Sequence, residues 1–396
     1  MKLVILDPDL ATFGGHNFNY LEGIVGEARS RGIDTRVFGY RGIKPEVAKA
    51  LGAVGHFAVL GRAALTDVDG GPKIRAAWTH VVLNAVFARD LQPLTQELGP
   101  ETLVLVPAAS SRQLFALAQW LALIAPPSLP QLVCLFRYDL AAYAGEEEFL
   151  GVPAAVLASL KRPAILCCET EANALAHQTA LQLRFLTMPF PFPVPERVPS
   201  NPKTGDRPRV GYFGDGRYMK GFHLLPGLAE MALAANAAYR LWVQTFDTGD
   251  DPDAKGHLLS LRRLAARDAE AVVLLDGTVD SARYRRFMLD CQIVLLPYHA
   301  PTYRRASSAI FCEAVSAGRV VVVPEETWMC EALRRLGVEP LTFRDWSVPA
   351  LDGVLRQAAS DLPRRRQEAE RIAVHWNAGN GPKPVLDQLT RWYERG

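Results

Sequence analysis

The sequence predicts an α/β protein built from two doubly wound, Rossmann-like domains facing across a cleft. Three observations carry that expectation. Short runs rich in Val, Ile and Leu alternate with longer amphipathic stretches over nearly the whole chain, the pattern of a parallel sheet covered by helices on both faces. A proline-dense segment, MPFPFPVPERVPSNPKTGDRP from Met188 to Pro208, interrupts the alternation. Proline removes backbone donors and blocks helix, so this segment reads as an extended connector. Finally, 396 residues exceed what one hydrophobic core usually serves.

In the first half, Lys2–Leu6, Thr35–Phe38, Phe57–Leu60, Thr102–Val106, Gln131–Phe136 and Ala164–Cys168 read as strands. Between them Lys73–Leu98 reads as helix, with Ile74, Trp78, Val81, Ala85 and Leu91 recurring at helical spacing. After the connector, Arg209–Phe213, Arg240–Thr245, Ala271–Leu275, Gln292–Leu296 and Arg319–Val323 read as strands separated by helical stretches. The final segment, Pro363 to Gly396, reads as a charged helix, a break at NAGNGPKP and a second helix carrying Trp392 and Tyr393. The expected organisation is a first domain over 1–188, a connector over 189–208, a second domain over 209–375 and a terminal helix over 376–396. Sheets wound this way take ligands at the carboxyl ends of their strands.

Composition narrows the function classes. With 44 basic and 42 acidic residues the net charge is +2 and the signs are mixed, which argues against a nucleic-acid partner. Cys134, Cys167, Cys168, Cys291, Cys312 and Cys330 form no C-x-x-C pair and no zinc set, so no metal is expected. They read as small buried hydrophobes in a reducing compartment. The apolar run at Lys2–Leu6 is too short for a signal peptide's core, and Leu114–Phe136 is broken by Pro126, Pro127 and Pro130. A cytoplasmic protein is expected, at most peripheral to the inner face of a membrane.

Three motifs carry chemistry. GGHNFNY, Gly14 to Tyr20, follows the first strand. Gly14 and Gly15 let the backbone turn tightly against a ligand, and Asn17 is placed to cap the following helix. His16 at that rim can contact an acceptor or a phosphate, or simply cap the turn. The second motif, VGYFGDGRYMKG from Val210 to Gly221, repeats the strand, glycine turn and helix start. Gly214 and Gly216 make half of a dinucleotide fingerprint, but Met219 replaces the third glycine, and no Walker A run passes through it. Arg217 and Lys220 remain, two cations that would meet a diphosphate at a helix N-terminus.

The third motif is LLPYHAPTYRRASSAIFCEAVSAGRVVVVPE, Leu295 to Glu325. A buried strand ends at Pro297, a polar loop carries Tyr303, Arg304 and Arg305, and a helix begins around Ser307 and Ser308. Amides and hydroxyls at such a start can hold phosphate oxygens. Glu313 lies roughly a turn and a half inside the helix, between Cys312 and Ala314, placed to accept hydrogen bonds from ribose hydroxyls.

These residues resemble the glycosyltransferases of the GT-B fold, specifically the large retaining family 4 group. EAVSAG, Glu313 to Gly318, matches that group's pattern most closely. The resemblance implies a first domain that binds the acceptor, a second that binds a nucleotide-diphosphate sugar, and a last helix that crosses back onto the first domain. It implies Lys220 on the donor diphosphate, Glu313 on the donor ribose and the Ser307–Ser308 turn on the phosphate side of the sugar. It also implies retention at the anomeric carbon, with the nucleotide-sugar as substrate and no cofactor. The expected acceptor is a glycan, a lipid-linked molecule, a protein or a small molecule.

The chain departs from that pattern twice. The group's Glu-x7-Glu pair would begin at position 305, which is Arg305. Tyr303, Arg305, Ser307 and Ser308 resemble a subset of similar proteins with Tyr, Arg and Ser-Ser there. The group's phosphate-binding arginine corresponds to Asp215, leaving Arg217 or Arg305 to supply the charge. Lys220 and Arg305 are therefore the expected catalytic cations, with Gly214, Arg217 and Tyr303 completing the donor site. His16 and Asp139, the latter in FRYDL, are candidates to face the acceptor. The competing readings are a catalytically degenerate binding or scaffold protein, a nucleotide-sugar epimerase of the same shape, and a dinucleotide-dependent oxidoreductase. The last is disfavoured because neither half holds a complete G-x-G-x-x-G.

Overall fold

A computed structural model describes residues 1–13, 16–61, 72–140, 147–192, 206–246, 253–277 and 279–395. The chain divides into two compact units, one of residues 1–193 with 380–396 and one of residues 194–379. The fold class read from the sequence is the one observed: two parallel sheets, each surrounded by helices.

In the first unit the strands are β1 (Lys2–Leu6), β2 (Asp34–Tyr40), β3 (Ala53–Phe57), β4 (Thr102–Val106), β5 (Gln131–Phe136), β6 (Ile165–Cys168) and β7 (Leu186–Thr187), in the order β3-β2-β1-β4-β5-β6-β7. Strands β4 and β5 are buried along their whole length, as central parallel strands must be. The helices are α1 (His16–Ser30), α2 (Pro45–Leu51), α3 (Pro72–Leu91), α4 (Ser111–Ala122), α5 (Glu147–Ala158) and α6 (Glu171–Leu181). Right-handed crossovers place α1 and α2 on one face and α3 to α6 on the other. The core joins Val4, Leu6, Val104, Val106, Leu132 and Phe136 of the sheet to Phe87, Leu117, Leu121 and Leu157 of the covering helices.

The helix expected over Lys73–Leu98 ends earlier, at Leu91. Pro93 lacks the amide that would continue it, and Gln92–Glu97 tightens into a 3-10 helix. The strand expected at Phe57–Leu60 lies instead at Ala53–Phe57, paired with β2 through Val37 and Ala53. It is an edge strand containing Gly55 and His56, so one side faces water and its pattern is weak. Helix α14 (Pro382–Arg395) packs on α1. Gly23 permits the approach, because a Cβ there would lie 2.1 Å from the Pro191 carbonyl oxygen and 2.9 Å from Pro382 Cγ. Phe190 locks the entry to α14. Its amide donates to Asn380 Oδ1 at 3.1 Å, and its carbonyl accepts from the Gly381 amide at 2.6 Å.

The second unit holds β8 (Arg209–Phe213), β9 (Arg240–Thr245), β10 (Val272–Asp276), β11 (Ile293–Leu295), β12 (Val320–Pro324) and β13 (Leu341–Phe343), in the order β10-β9-β8-β11-β12-β13. Its helices are α7 (Leu225–Leu233), α8 (Ala254–Arg267), α9 (Ser281–Asp290), α10 (Ala309–Ser316), α11 (Trp328–Arg335), α12 (Val348–Ser360) and α13 (Leu362–Gly379). The order reverses between β1 and β4 in the first unit and between β8 and β11 in the second. Crevices at such reversals are where doubly wound sheets bind ligands. Among the described residues, no helix is long and apolar enough to cross a membrane.

Candidate functional site

The second and third motifs flank the reversal point of the second unit. The Gly-rich turn follows β8, and the polar loop runs from β11 to α10. Gly214 adopts φ +120, where a Cβ would lie 3.1 Å from Lys220 Nζ and 3.2 Å from Ile310 Cδ1 of α10. The turn and the helix start therefore meet at this glycine.

Arg217 and Lys220 do not open an α-helix as expected. Tyr218–Lys220 forms a 3-10 turn, a second such turn covers Phe222–Leu224, and α7 begins only at Leu225. Nor is Lys220 solvated: it is 4% exposed. Both cations converge on Asp215 Oδ1, Arg217 Nε at 2.9 Å and Lys220 Nζ at 3.3 Å. Burial pulls the Lys220 ammonium below its usual range, and Asp215 pulls it back. Burial pushes Asp215 up, but Lys220 and Arg217 outweigh it and hold the carboxyl below its usual range. Asp215, read from the sequence as a lost phosphate-binding charge, thus anchors two cations, and the triad keeps one net positive charge.

The turn is held from beneath. Gly221 lies at φ +72, with its α-carbon hard against the Pro297 carbonyl that follows β11. That carbonyl accepts from Trp346 Nε1 at 2.7 Å. The Tyr218 ring stacks on His223 at 4.3 Å and meets Trp346 edge-on at 5.0 Å. Tyr303 is half-buried, its ring tilted against that of Tyr298 with centroids 4.4 Å apart. Burial lifts the Tyr303 phenol to about 12, against the pull of Arg217.

Ser308 is the N-cap of α10, its hydroxyl oxygen accepting from the Phe311 amide at 3.2 Å. It is also hydrogen-bonded to the Tyr298 phenol, so its hydroxyl is committed within the fold. Ser307 and Arg305 are half-buried just before it. Glu313 is half-buried on α10, and its Oε2 accepts from the Tyr284 hydroxyl of α9 at 2.8 Å. The turn after β8 and the start of α10 therefore meet at Gly214, Lys220 and Ile310, with Arg217 on that turn, Tyr303, Arg305, Ser307 and Ser308 on the segment leading into α10, and Glu313 further along the helix.

In the first unit Gly14, Gly15 and the side chain of His16 lie outside the described residues. Asn17 does not cap α1. It sits within the first turn, its amide donating to Asp7 Oδ1 at 3.4 Å and its oxygen accepting from Arg137 Nη1 at 3.3 Å. Asp139 is half-buried two residues beyond Arg137, where its charge helps raise the buried Cys168 thiol after burial itself.

A cluster that the sequence reading missed occupies the carboxyl edge of this sheet. Asp7 follows β1, Arg137 follows β5 and Glu169 follows β6. Arg137 Nε donates to Glu169 Oε1 at 3.0 Å, and its guanidinium lies 4.6 Å over the Tyr20 ring. The signal was present in the sequence, since each is an ionisable residue directly after an apolar strand run.

Asp7 is 1% exposed. Burial, then the charge of Asp9, raises it to about 7. Its folded value lies above its ordinary 3.8, so this contribution to stability is full below pH 4 and lost as pH rises through 7. Asp7→Asn keeps an oxygen for the Asp9 amide, which donates to Oδ1 at 3.0 Å. The variant is expected to match wild type near pH 4 and to exceed it at pH 8–9 by at most about 4 kcal/mol. Urea denaturation across that range measures the difference, and parallel pH profiles would remove the buried, raised carboxyl from the account.

No protein-family model matches the chain, and neither does any curated protein sequence. Solved structures do. The Anabaena protein HepE, in complex with UDP-glucose, aligns with TM-score 0.67 at 14% identity over 100% of both chains. Sucrose-phosphate synthase from Thermosynechococcus elongatus gives 0.67 at 13% identity, over 100% of this chain and 99% of that one. TarM from S. aureus, as a point mutant in complex with fondaparinux, alpha-GlcNAc-glycerol and UDP, gives 0.68 at 9% identity over 99% and 100%. The chain has the two-domain α/β architecture of these GT-B proteins.

Proposed function

We propose that the chain is a glycosyltransferase that moves a sugar from a nucleotide-diphosphate donor to an acceptor hydroxyl. The observation that carries this reading is the Lys220–Asp215–Arg217 triad, its lysine buried and its arginine exposed, set beside the start of α10 at the reversal point of a parallel sheet. The fold supports it, and structures sharing that fold have been crystallised with UDP-glucose or UDP. In the proposed reaction an acceptor hydroxyl attacks the anomeric carbon. The bond from that carbon to the diphosphate oxygen breaks, the diphosphate leaves with the electron pair, and the acceptor hydroxyl's proton passes to the departing phosphate oxygen. Lys220, Arg217 and Arg305, with the amides at the Ser307 turn, face the growing negative charge. Fixed donors of this kind need no reorganisation as the charge develops. Glu313 takes the ribose, and attack and departure on one face give retention, as in the family 4 group.

A second reading has its own observation. Asp215 consumes part of both cations, as in a binding protein whose catalysis has been lost. Thermal denaturation against UDP, GDP, ADP and dTDP tests the site first. One diphosphate at a hundred times its dissociation constant is expected to stabilise by about 2.7 kcal/mol. No response from the folded protein to any nucleotide would sink both readings. Binding without turnover, over a broad acceptor panel, would leave the second.

A further inference from the structure

Helix α9 opens at Asp280, whose side chain accepts from the Arg283 amide at 2.8 Å. An N-cap of this kind fixes where the first turn begins, and with it which side chains face the sheet. Tyr284, Phe287 and Met288 fall at the i, i+3 and i+4 spacing of one helix face. That face meets the end of β8, where Phe213 lies edge-on to Tyr284 at 5.6 Å and to Phe287 at 5.9 Å. Phe287 packs in turn on Trp242 of β9 at 4.9 Å. The Tyr284 ring is thus pinned to the last residue of the strand that leads into the Gly214 turn. Its hydroxyl reaches across to α10 and donates to Glu313 Oε2 at 2.8 Å. Every other residue of α10 from Ala309 to Ser316 is buried, and Glu313 alone is half-buried. Burial, then the charge of Glu313, pushes the phenol well above its usual range, so the group stays a neutral donor. A carboxylate offers about four acceptor positions, and one bond fixes its plane without filling it. A phenol does this without cancelling the negative charge, as a guanidinium would.

We propose that Tyr284 is a positioning residue for the donor. It sets the Glu313 carboxylate to take both hydroxyls of a ribose, which makes the site selective for ribonucleoside over 2′-deoxyribonucleoside diphosphates. This role rests on the donor-site reading above, and names a residue and a sugar class within it. A site built to accept from a hydroxyl disfavours the analogue that lacks it, because the acceptor is then left unpaired. The direction of the Glu313 oxygens decides whether one hydroxyl or both are met, and Tyr284 sets that direction. Of the diphosphates already named, dTDP carries a 2′-deoxy sugar and falls outside the expected donors.

The test is isothermal titration calorimetry of the full chain with UDP, GDP and ADP, each beside its 2′-deoxy counterpart. Wild type is expected to bind one ribonucleotide at least about tenfold more tightly than its counterpart, the size of one hydrogen bond to a charged acceptor. Equal binding of the two would overturn the proposal before any variant is made. Tyr284→Phe removes the hydroxyl and keeps the ring against Phe213. It should weaken the ribonucleotide about tenfold, leave the 2′-deoxy form near its wild-type value, and raise the donor KM with kcat nearly unchanged. Glu313→Ala should remove the preference outright, and Tyr284→Phe on that background should change nothing further, since the phenol acts through the carboxylate. A merely structural tyrosine would weaken both nucleotides alike and add its effect to that of Glu313→Ala, and either result would overturn the proposal. So would an unchanged preference in Tyr284→Phe, with the thermal midpoint as the check on folding. Failure of folded wild type to bind any nucleotide of either sugar would sink the donor-site reading itself, and this role with it.

Discussion

Lys220→Ala is expected to remove the stabilisation by nucleoside diphosphate and to slow transfer about a hundredfold or more, near 3 kcal/mol of transition-state stabilisation. The size of the effect follows from burial. At 4% exposure the ammonium is little screened by water, so its interaction with a developing charge exceeds that of a surface lysine. Removing it also leaves Asp215 with Arg217 alone, which turns the local net charge from positive to neutral. Lys220→Met separates charge from packing. It fills nearly the same volume, and it should lose activity as alanine does while keeping more of the stability. The assay is initial-rate transfer with the donor found by thermal denaturation, with urea unfolding run in parallel. Full activity in either variant would exclude Lys220 from the diphosphate site.

The second large effect is structural. Gly221→Ala places a Cβ 2.0 Å from the Pro297 carbonyl oxygen and 2.9 Å from its carbonyl carbon. The obstacle is backbone and cannot rotate away. The left-handed φ adds its own cost of about 1 kcal/mol, and the overlap raises the expected loss to about 3 kcal/mol or more. Gly337→Ala is the reference. Its φ is +75, yet nothing lies within 4 Å of the added carbon, so about 1 kcal/mol is expected there. Equal losses at the two positions by urea denaturation would show that the contact with Pro297 yields easily. A chain with Gly221→Ala that still folds should also bind nucleotide more weakly, because Lys220 is the preceding residue.

The parts of the fold legible in the sequence were those buried on both faces. Strands β1, β4, β5, β8 and β9 match the runs read from composition because central parallel strands have no polar side to blur the signal. Of the edge strands, β10 was read at Ala271–Leu275, one residue from its place, and the other three were not legible. Strand β7 has two residues and β13 three, too short to carry a period, and β3 was displaced along the chain for the reason already given. The site was legible where glycine marks a turn, as at Gly214 and Gly221. It was opaque where function depends on which strands become neighbours. Asp7, Arg137 and Glu169 lie far apart in sequence, and only the sheet order brings their strand ends together. The two roles of Asp215 likewise differ by a few ångströms, which spacing along a chain does not encode.

The first unit is discontinuous, and that sets an order on synthesis. Its first part emerges from the ribosome long before α14. At roughly 5–20 residues per second the intervening 194–379 segment takes on the order of 10 to 40 s to appear. The second unit can complete its own core in that interval, while the side of α1 that α14 will cover stays open. Val385, Leu386, Leu389 and Trp392 are the buried residues of the closing helix, so the waiting surface is apolar. A nascent chain stalled before Pro382 would carry one finished unit and one with a greasy seam. Such an intermediate keeps apolar surface open until α14 arrives, the kind of surface that holdase chaperones bind.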